Sequence, residues 1–88
     1  MTIELDGEGV PANPEALKGR EFVHFKGGRY RLEAFARDTE TCATMVVYRA
    51  LYGERGLWVR PAKMFFETIS RDGYEGPRFA LDETRPSA

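Results

Sequence analysis

Cysteine, histidine and tryptophan each occur once in this chain, as Cys42, His24 and Trp58. A lone cysteine excludes an internal disulfide and fits a reducing compartment. A tetrahedral zinc site draws on four Cys or His ligands, so this pair is too small a set and no metal or other cofactor is expected. Long apolar runs are also missing. The least polar stretch, Met45 to Tyr52, is interrupted by Arg49 and falls far short of the roughly 18 residues of a membrane-spanning helix. The opening Met-Thr-Ile-Glu-Leu-Asp-Gly-Glu has neither a basic start nor an apolar core, so no secretory signal is read there and the cytoplasm is the expected location, with no membrane partner. Charge of one sign is absent too: the net is −1, which provides no global field for non-specific nucleic-acid binding.

What is present suits a small folded domain. Hydrophobic residues make up 42%, charged residues 31% and aromatic residues 12% of 88 positions, inside the globular class and outside the disordered one. A chain of this length holds one core and hides roughly 60 to 65% of the surface its unfolded form exposes, so any site is expected on the surface or in a shallow groove. Residues 1–19 read as a flexible lead-in, with a short strand at Thr2 to Leu5 and a helical turn from Asn13 to Gly19, Asn13 accepting from its first N–H groups and Pro14 in the first helical position. Residues 20–82 read as the folded domain and 83–88 as a disordered tail.

Strand signals dominate that domain. Phe22 to Phe25 and Tyr30 to Arg37 flank Lys26-Gly27-Gly28-Arg29, and paired glycines between two apolar runs predict a hairpin. In the second run Tyr30, Leu32, Ala34 and Ala36 alternate with Arg31, Glu33 and Arg37, the period of a half-buried strand, which leaves Phe35 on the polar face. Met45 to Tyr52 is the most β-prone segment and is expected at the centre of the sheet. Leu57 to Arg60 forms a short strand after the turn bounded by Gly53 and Gly56. Pro61 then starts a single helical turn over Ala62 to Phe66, expected as 3₁₀. Thr68 to Arg71 is expected to pair with Arg78 to Leu81 across Asp72-Gly73, with Pro77 marking the last strand as an edge. Short strands at this spacing, without a long amphipathic helix, predict an all-β fold, and at this length a small barrel.

The runs His24-Phe25-Lys26-Gly27-Gly28-Arg29-Tyr30, Val46-Val47-Tyr48-Arg49-Ala50-Leu51-Tyr52-Gly53, Gly56-Leu57-Trp58-Val59-Arg60-Pro61 and Met64-Phe65 resemble the bacterial family catalogued as domain of unknown function 1653, over roughly residues 20 to 81. The resemblance implies a five-stranded SH3-like barrel with one or two short helical turns, and it implies no particular activity. The region around Cys42 and the longer N-terminal lead depart from the family pattern.

Candidate site residues follow from residue chemistry. Arginine outnumbers lysine ten to three, and the arginine fork grips carboxylates and phosphates in two places and stacks on rings. Residues 18 to 37 hold six bases against Glu21 and Glu33, a local excess of cations. The aromatic and arginine set Tyr30, Tyr48, Tyr52 and Trp58 with Arg29, Arg31, Arg49 and Arg60 either fills the core or lines a face. The favoured reading is a non-catalytic binding module: a groove between the glycine hairpin at 26–29 and the turn at 53–56, using His24, Lys26, Arg29, Arg31, Tyr48, Arg49, Trp58 and Arg60 for an anionic peptide, nucleotide or single-stranded nucleic acid. An assembly role through outward Phe35 and Phe66 is the alternative, as a monomer or weak homodimer. Catalysis through His24 is the least favoured: it is the only histidine, so every His-dependent scheme passes through that one ring, and Cys42 has no basic neighbour in sequence.

Overall fold

The computed structural model describes residues 3–83; the expected disordered tail lies, apart from Glu83, outside the described residues, as does Thr2. Seven strands and two short helical turns account for its regular structure. They are β1 (Glu21–His24), β2 (Arg29–Arg37), β3 (Thr44–Ala50), β4 (Leu57–Pro61), β5 (Thr68–Arg71), β6 (Tyr74–Pro77) and β7 (Phe79–Leu81), with a 3₁₀ turn at Pro14–Leu17 and α1 at Ala62–Phe65. The mainly β reading therefore holds. The turn at 62–65 is α rather than 3₁₀, closed by Phe66 N–H donating to the Ala62 carbonyl at 3.0 Å.

Five strands form one antiparallel sheet in the order β4-β3-β2-β1-β7, and β5 and β6 pair as a separate hairpin. The sheet has two edges, β4 and β7, that do not hydrogen-bond to each other, so no closed barrel ladder is formed. The central strand is β2 rather than the Met45 to Tyr52 segment. That segment lies one place out and ends at Ala50, since Leu51 and Tyr52 already belong to the turn.

Two further expectations are corrected. Thr68–Arg71 pairs with Tyr74–Pro77, not with 78–81. Asp72 and Gly73 both take positive φ, 50° and 80°, the geometry of a two-residue hairpin loop that closes at once onto the next four residues. Freed from that partnership, Phe79–Leu81 joins β1, with Phe22 opposite Leu81 and His24 opposite Phe79. The second correction concerns Phe35. The register of β2 on β3 runs from Leu32 opposite Tyr48 to Ala34 opposite Val47, so Glu33 is an extra residue. A bulge of this kind switches which residues face inward. Phe35 consequently packs against the core opposite Val46, stacked on Phe66 with centroids 6.5 Å apart. Phe66 is itself 7% exposed, so the outward patch expected from Phe35 and Phe66 does not exist.

The core gathers Phe22, Leu32, Val46, Tyr48, Ala62, Phe65, Phe66 and Phe79 on one face of the sheet, with Leu17 contributed from the N-terminal segment. That segment folds back on itself. Leu5 bridges Pro11, Ala12 N–H donates to the Glu4 carbonyl at 2.8 Å, and Ile3 and Val10 pack against the core. The expected strand at its start amounts to this one bridge. Asn13 makes no side-chain cap; its backbone carbonyl accepts from Ala16 N–H at 3.3 Å instead.

Candidate functional site

Residues directly opposite each other in an antiparallel pair point to the same face, so the register sorts the candidate residues onto two faces. Glu21, Arg31, Arg49 and Leu57 form one row across four strands of the outer face. Leu32, Tyr48 and Trp58 form a row on the inner face, as do Phe35, Val46 and Arg60. The eight candidates do not converge on one groove. Arg29, Arg31 and Arg49 lie outside, His24, Tyr48, Trp58 and Arg60 inside, and Lys26 at the hairpin tip between them.

On the outer face each arginine already holds a carboxylate. Arg29 bonds Asp82 and, at 3.3 Å, Glu21. Arg31 grips Glu33 through Nε and Nη2 at 3.2 and 2.9 Å, and Arg49 Nε reaches the same carboxylate at 3.1 Å. The bulge aims Glu33 at this pair. Its carboxyl is held below the usual range, first by the bond from Arg31 and then by Arg49. The cations that residues 18–37 place on this face are thus met by that segment's own two acids, Glu21 and Glu33, and by Asp82 brought in from the segment after β7.

The inner face opens at the end of the sheet where the glycine hairpin meets the turn after β3. Leu51 N–H donates to the Arg29 carbonyl at 2.9 Å, and a cleft of about 270 Å³ lies between Gly27, Gly28, Arg29, Leu51 and Tyr52. The Tyr30 and Tyr52 hydroxyls bond each other at 2.5 Å, with ring centroids 5.6 Å apart. Burial, followed by the bond to Tyr52, pushes the Tyr30 phenol up to about 12, so the Tyr30 hydroxyl stays neutral at physiological pH. Gly28 permits the approach: a Cβ there would lie 3.1 Å from Tyr52 Cε1 and 3.2 Å from Tyr30 Cε1.

The rings continue inward from this rim. Tyr30 meets Tyr48 at 5.3 Å and Phe79 at 5.5 Å, and Tyr48 meets Phe79 at 5.4 Å, all edge to face. Phe79 stacks flat on Phe65 at 4.1 Å and forms the floor. His24 lies edge-on to Phe79 at 4.8 Å, its Nδ1 accepting from the Lys26 backbone N–H at 3.2 Å. Its pKa is lowered by burial, then by the charges of Arg60, Arg78 and Lys26, so the ring is neutral at pH 7 and a cationic field surrounds it. Arg78 is committed to Glu67 at 2.5 Å. Arg60 is different: its guanidinium sits 5.7 Å from the Phe79 ring, its Nε is 3.4 Å from the Tyr48 hydroxyl, and no ion pair joins it to a carboxylate among the described residues. Trp58 stands beyond Tyr48 in the same row, 59% exposed.

Cys42 is exposed with φ 62°, and Arg37 Nη1 donates to its carbonyl at 2.8 Å. No group of three or more potential metal ligands occurs among the described residues, and no described helix is long and apolar enough to cross a membrane. The site residue that sequence reasoning missed is Phe79. It joins the mouth only because β7 pairs with β1, a long-range register that no local pattern encodes.

A crystal structure of a protein from Bordetella bronchiseptica, described as belonging to DUF1653, superposes with a TM-score of 0.65 at 30% identity, over 76% of this chain and 88% of that one. No curated protein matches the chain. The model of the family "Protein of unknown function (DUF1653)" matches residues 20–81, from the start of β1 to the end of β7, and the chain belongs to that family.

Proposed function

We propose that the domain is a non-catalytic binding module, an open SH3-like barrel whose aromatic mouth takes an anionic ligand with a flat face. A nucleotide or a short stretch of single-stranded nucleic acid has this chemistry. The supporting observation is the environment of Arg60. A guanidinium set among rings and unpaired with any described carboxylate keeps its charge for a ligand, while Tyr30, Tyr52 and Trp58 supply the stacking surfaces such ligands use, above the buried ring of Phe79. His24 serves as a neutral wall there, its ring against Phe25 and Phe79. The near-zero net charge fits a site that depends on one or two local cations.

The test is a titration with oligothymidylate, a mononucleotide and an acidic peptide at about 50 and 200 mM salt. Trp58, the sole tryptophan, reports by fluorescence. Quenching by the nucleic acid, weakened about tenfold to a hundredfold in Arg60→Ala, is the expected result, the size of one charge-assisted hydrogen bond set. Quenching by the peptide alone would reassign the ligand. No response to any of the three, in fluorescence or in the amide shifts of Tyr52 and Arg60, would remove the proposal.

A further inference from the structure

β4 is an edge strand, and it is unlike the other edge. In β7, Phe79 is 2% exposed, whereas in β4 Leu57, Trp58 and Val59 are 55%, 59% and 57% exposed. Edge strands usually carry charges or distortions that prevent further pairing. Here three consecutive apolar residues of high strand propensity lie open, and the first charge is Arg60.

The ladder fixes which backbone groups are free. Ala50 N–H donates to the Gly56 carbonyl at 3.0 Å, so Gly56, Trp58 and Arg60 are the β4 residues that bond toward β3. Leu57 and Val59 therefore direct their N–H and C=O groups away from the sheet, on the open edge. We infer that β4 docks antiparallel on β4 of a second copy of this chain, with the two-fold axis at Trp58.

That register is selected by self-complementarity. Leu57 lies opposite Val59 of the second copy, and each such pair exchanges both of its hydrogen bonds, satisfying every outward donor and acceptor of the two residues. Trp58 meets its own counterpart at a non-bonded position, where side chains come closest. Arg60 falls opposite Gly56, which has no side chain, so no like charges meet. An axis at Val59 would set Leu57 opposite Pro61, which has no N–H to give. An axis at Leu57 would set Val59 opposite Arg55, whose φ of 56° is not that of a strand. The contact is confined to one short strand from each copy, against the roughly 800 Å² per partner of stable interfaces, so the association is expected to be weak and to depend on concentration. It places two mouths side by side on one continuous sheet, with the tryptophan pair between them.

Sedimentation equilibrium over a wide concentration range tests the pairing. The apparent mass is expected to rise toward that of a dimer, and Val59→Lys, a charge on the exposed outer face and away from the mouth, is expected to keep the chain monomeric with an unchanged circular dichroism spectrum. A wild type that stays monomeric at millimolar concentration, or a Val59→Lys variant that associates equally well, overturns the inference. Oxidative cross-linking in a Cys42→Ser background tests the axis. Trp58→Cys is expected to give a covalent dimer, and Leu57→Cys and Val59→Cys are not; equal cross-linking by all three overturns the register. Ligand binding by Val59→Lys is expected to match wild type in the monomer, so failure of the mouth as a binding site and failure of the dimer are read separately.

Discussion

The two faces of one sheet both carry arginines and use them in opposite ways. Arg31 and Arg49 on the outer face share the Glu33 carboxylate, and Arg29 holds Glu21 and Asp82. Arg60 on the inner face has rings for neighbours and no ion pair with a described acid. A cation is available to a ligand only where the fold has not already given it a counter-ion. Counting arginines along the chain picks the outer trio as readily as Arg60, because the acids that neutralise them come from β1, the bulge in β2 and the segment after β7.

The contrast between faces breaks most sharply at Phe79. The ring is 2% exposed, stacks on Phe65 and touches the edges of Tyr30, Tyr48 and His24. Phe79→Ala removes the floor of the mouth and leaves a cavity in a small core, an expected loss of about 3–5 kcal/mol. Val59→Ala, on the outer side of the same sheet, is expected to stay within about 0.5 kcal/mol. Urea denaturation of both variants checks the difference; equal losses would mean that the sheet has no inside.

A smaller effect separates two adjacent glycines. Gly28→Ala drives a Cβ to 3.1 Å from Tyr52 Cε1 and 3.3 Å from the Tyr30 hydroxyl, and the rings must shift to admit it. An overpacking cost of about 1–2 kcal/mol is expected, together with displaced ring resonances for both tyrosines in NMR spectra. Gly27→Ala costs a similar amount for a different reason. Its φ of 104° disfavours a side chain, yet a Cβ there meets nothing within 4 Å. Stability should fall in both variants, and the tyrosine resonances should move only in the first.

These glycines also show where the sequence is legible. Lys26-Gly27-Gly28-Arg29 and Asp72-Gly73 declare hairpins because their backbone needs are local, and apolar runs beside turn signals mark the starts of β1, β2 and β4 within a residue. Long-range choices are another matter. Nothing near Thr68 states whether its partner begins at Tyr74 or Arg78, and that choice decides whether Phe79 reaches the mouth. The bulge at Glu33 is equally silent. Phe35 breaks the alternation visibly, but only the pairing with β3 reveals that one inserted residue restores it to the core. Of the candidate site, His24, Tyr48, Trp58 and Arg60 share the inner face with Tyr30, while Arg29, Arg31 and Arg49 are drawn off by partners whose proximity depends on that same pairing.

Glu33 is the finest probe of the comparison, because it lies at the junction between bulge and ion pairs. Glu33→Gln keeps the shape and removes the charge, returning Arg31 and Arg49 to solvent. Both arginines and the carboxylate are partly exposed, at 42%, 34% and 28% of their side chains, so screening limits the stability loss to about 0.5–1 kcal/mol. The sign with pH is fixed by the direction of the shift. Glu33 has a folded pKa below its unfolded value, so its contribution is complete above the unfolded pKa, near 4.3, and is lost as pH falls through the lower, folded one. Wild type and variant should therefore differ in urea midpoint at pH 7 and converge as the pH falls below the unfolded pKa of Glu33. The same substitution should raise weak, salt-sensitive binding of single-stranded DNA by the outer face, while Arg60→Ala should weaken the binding proposed for the mouth by about tenfold to a hundredfold. If Glu33→Gln instead left both stability and background binding untouched, the outer arginines would not be neutralised by their carboxylate, and the distinction between the faces would rest on the rings alone.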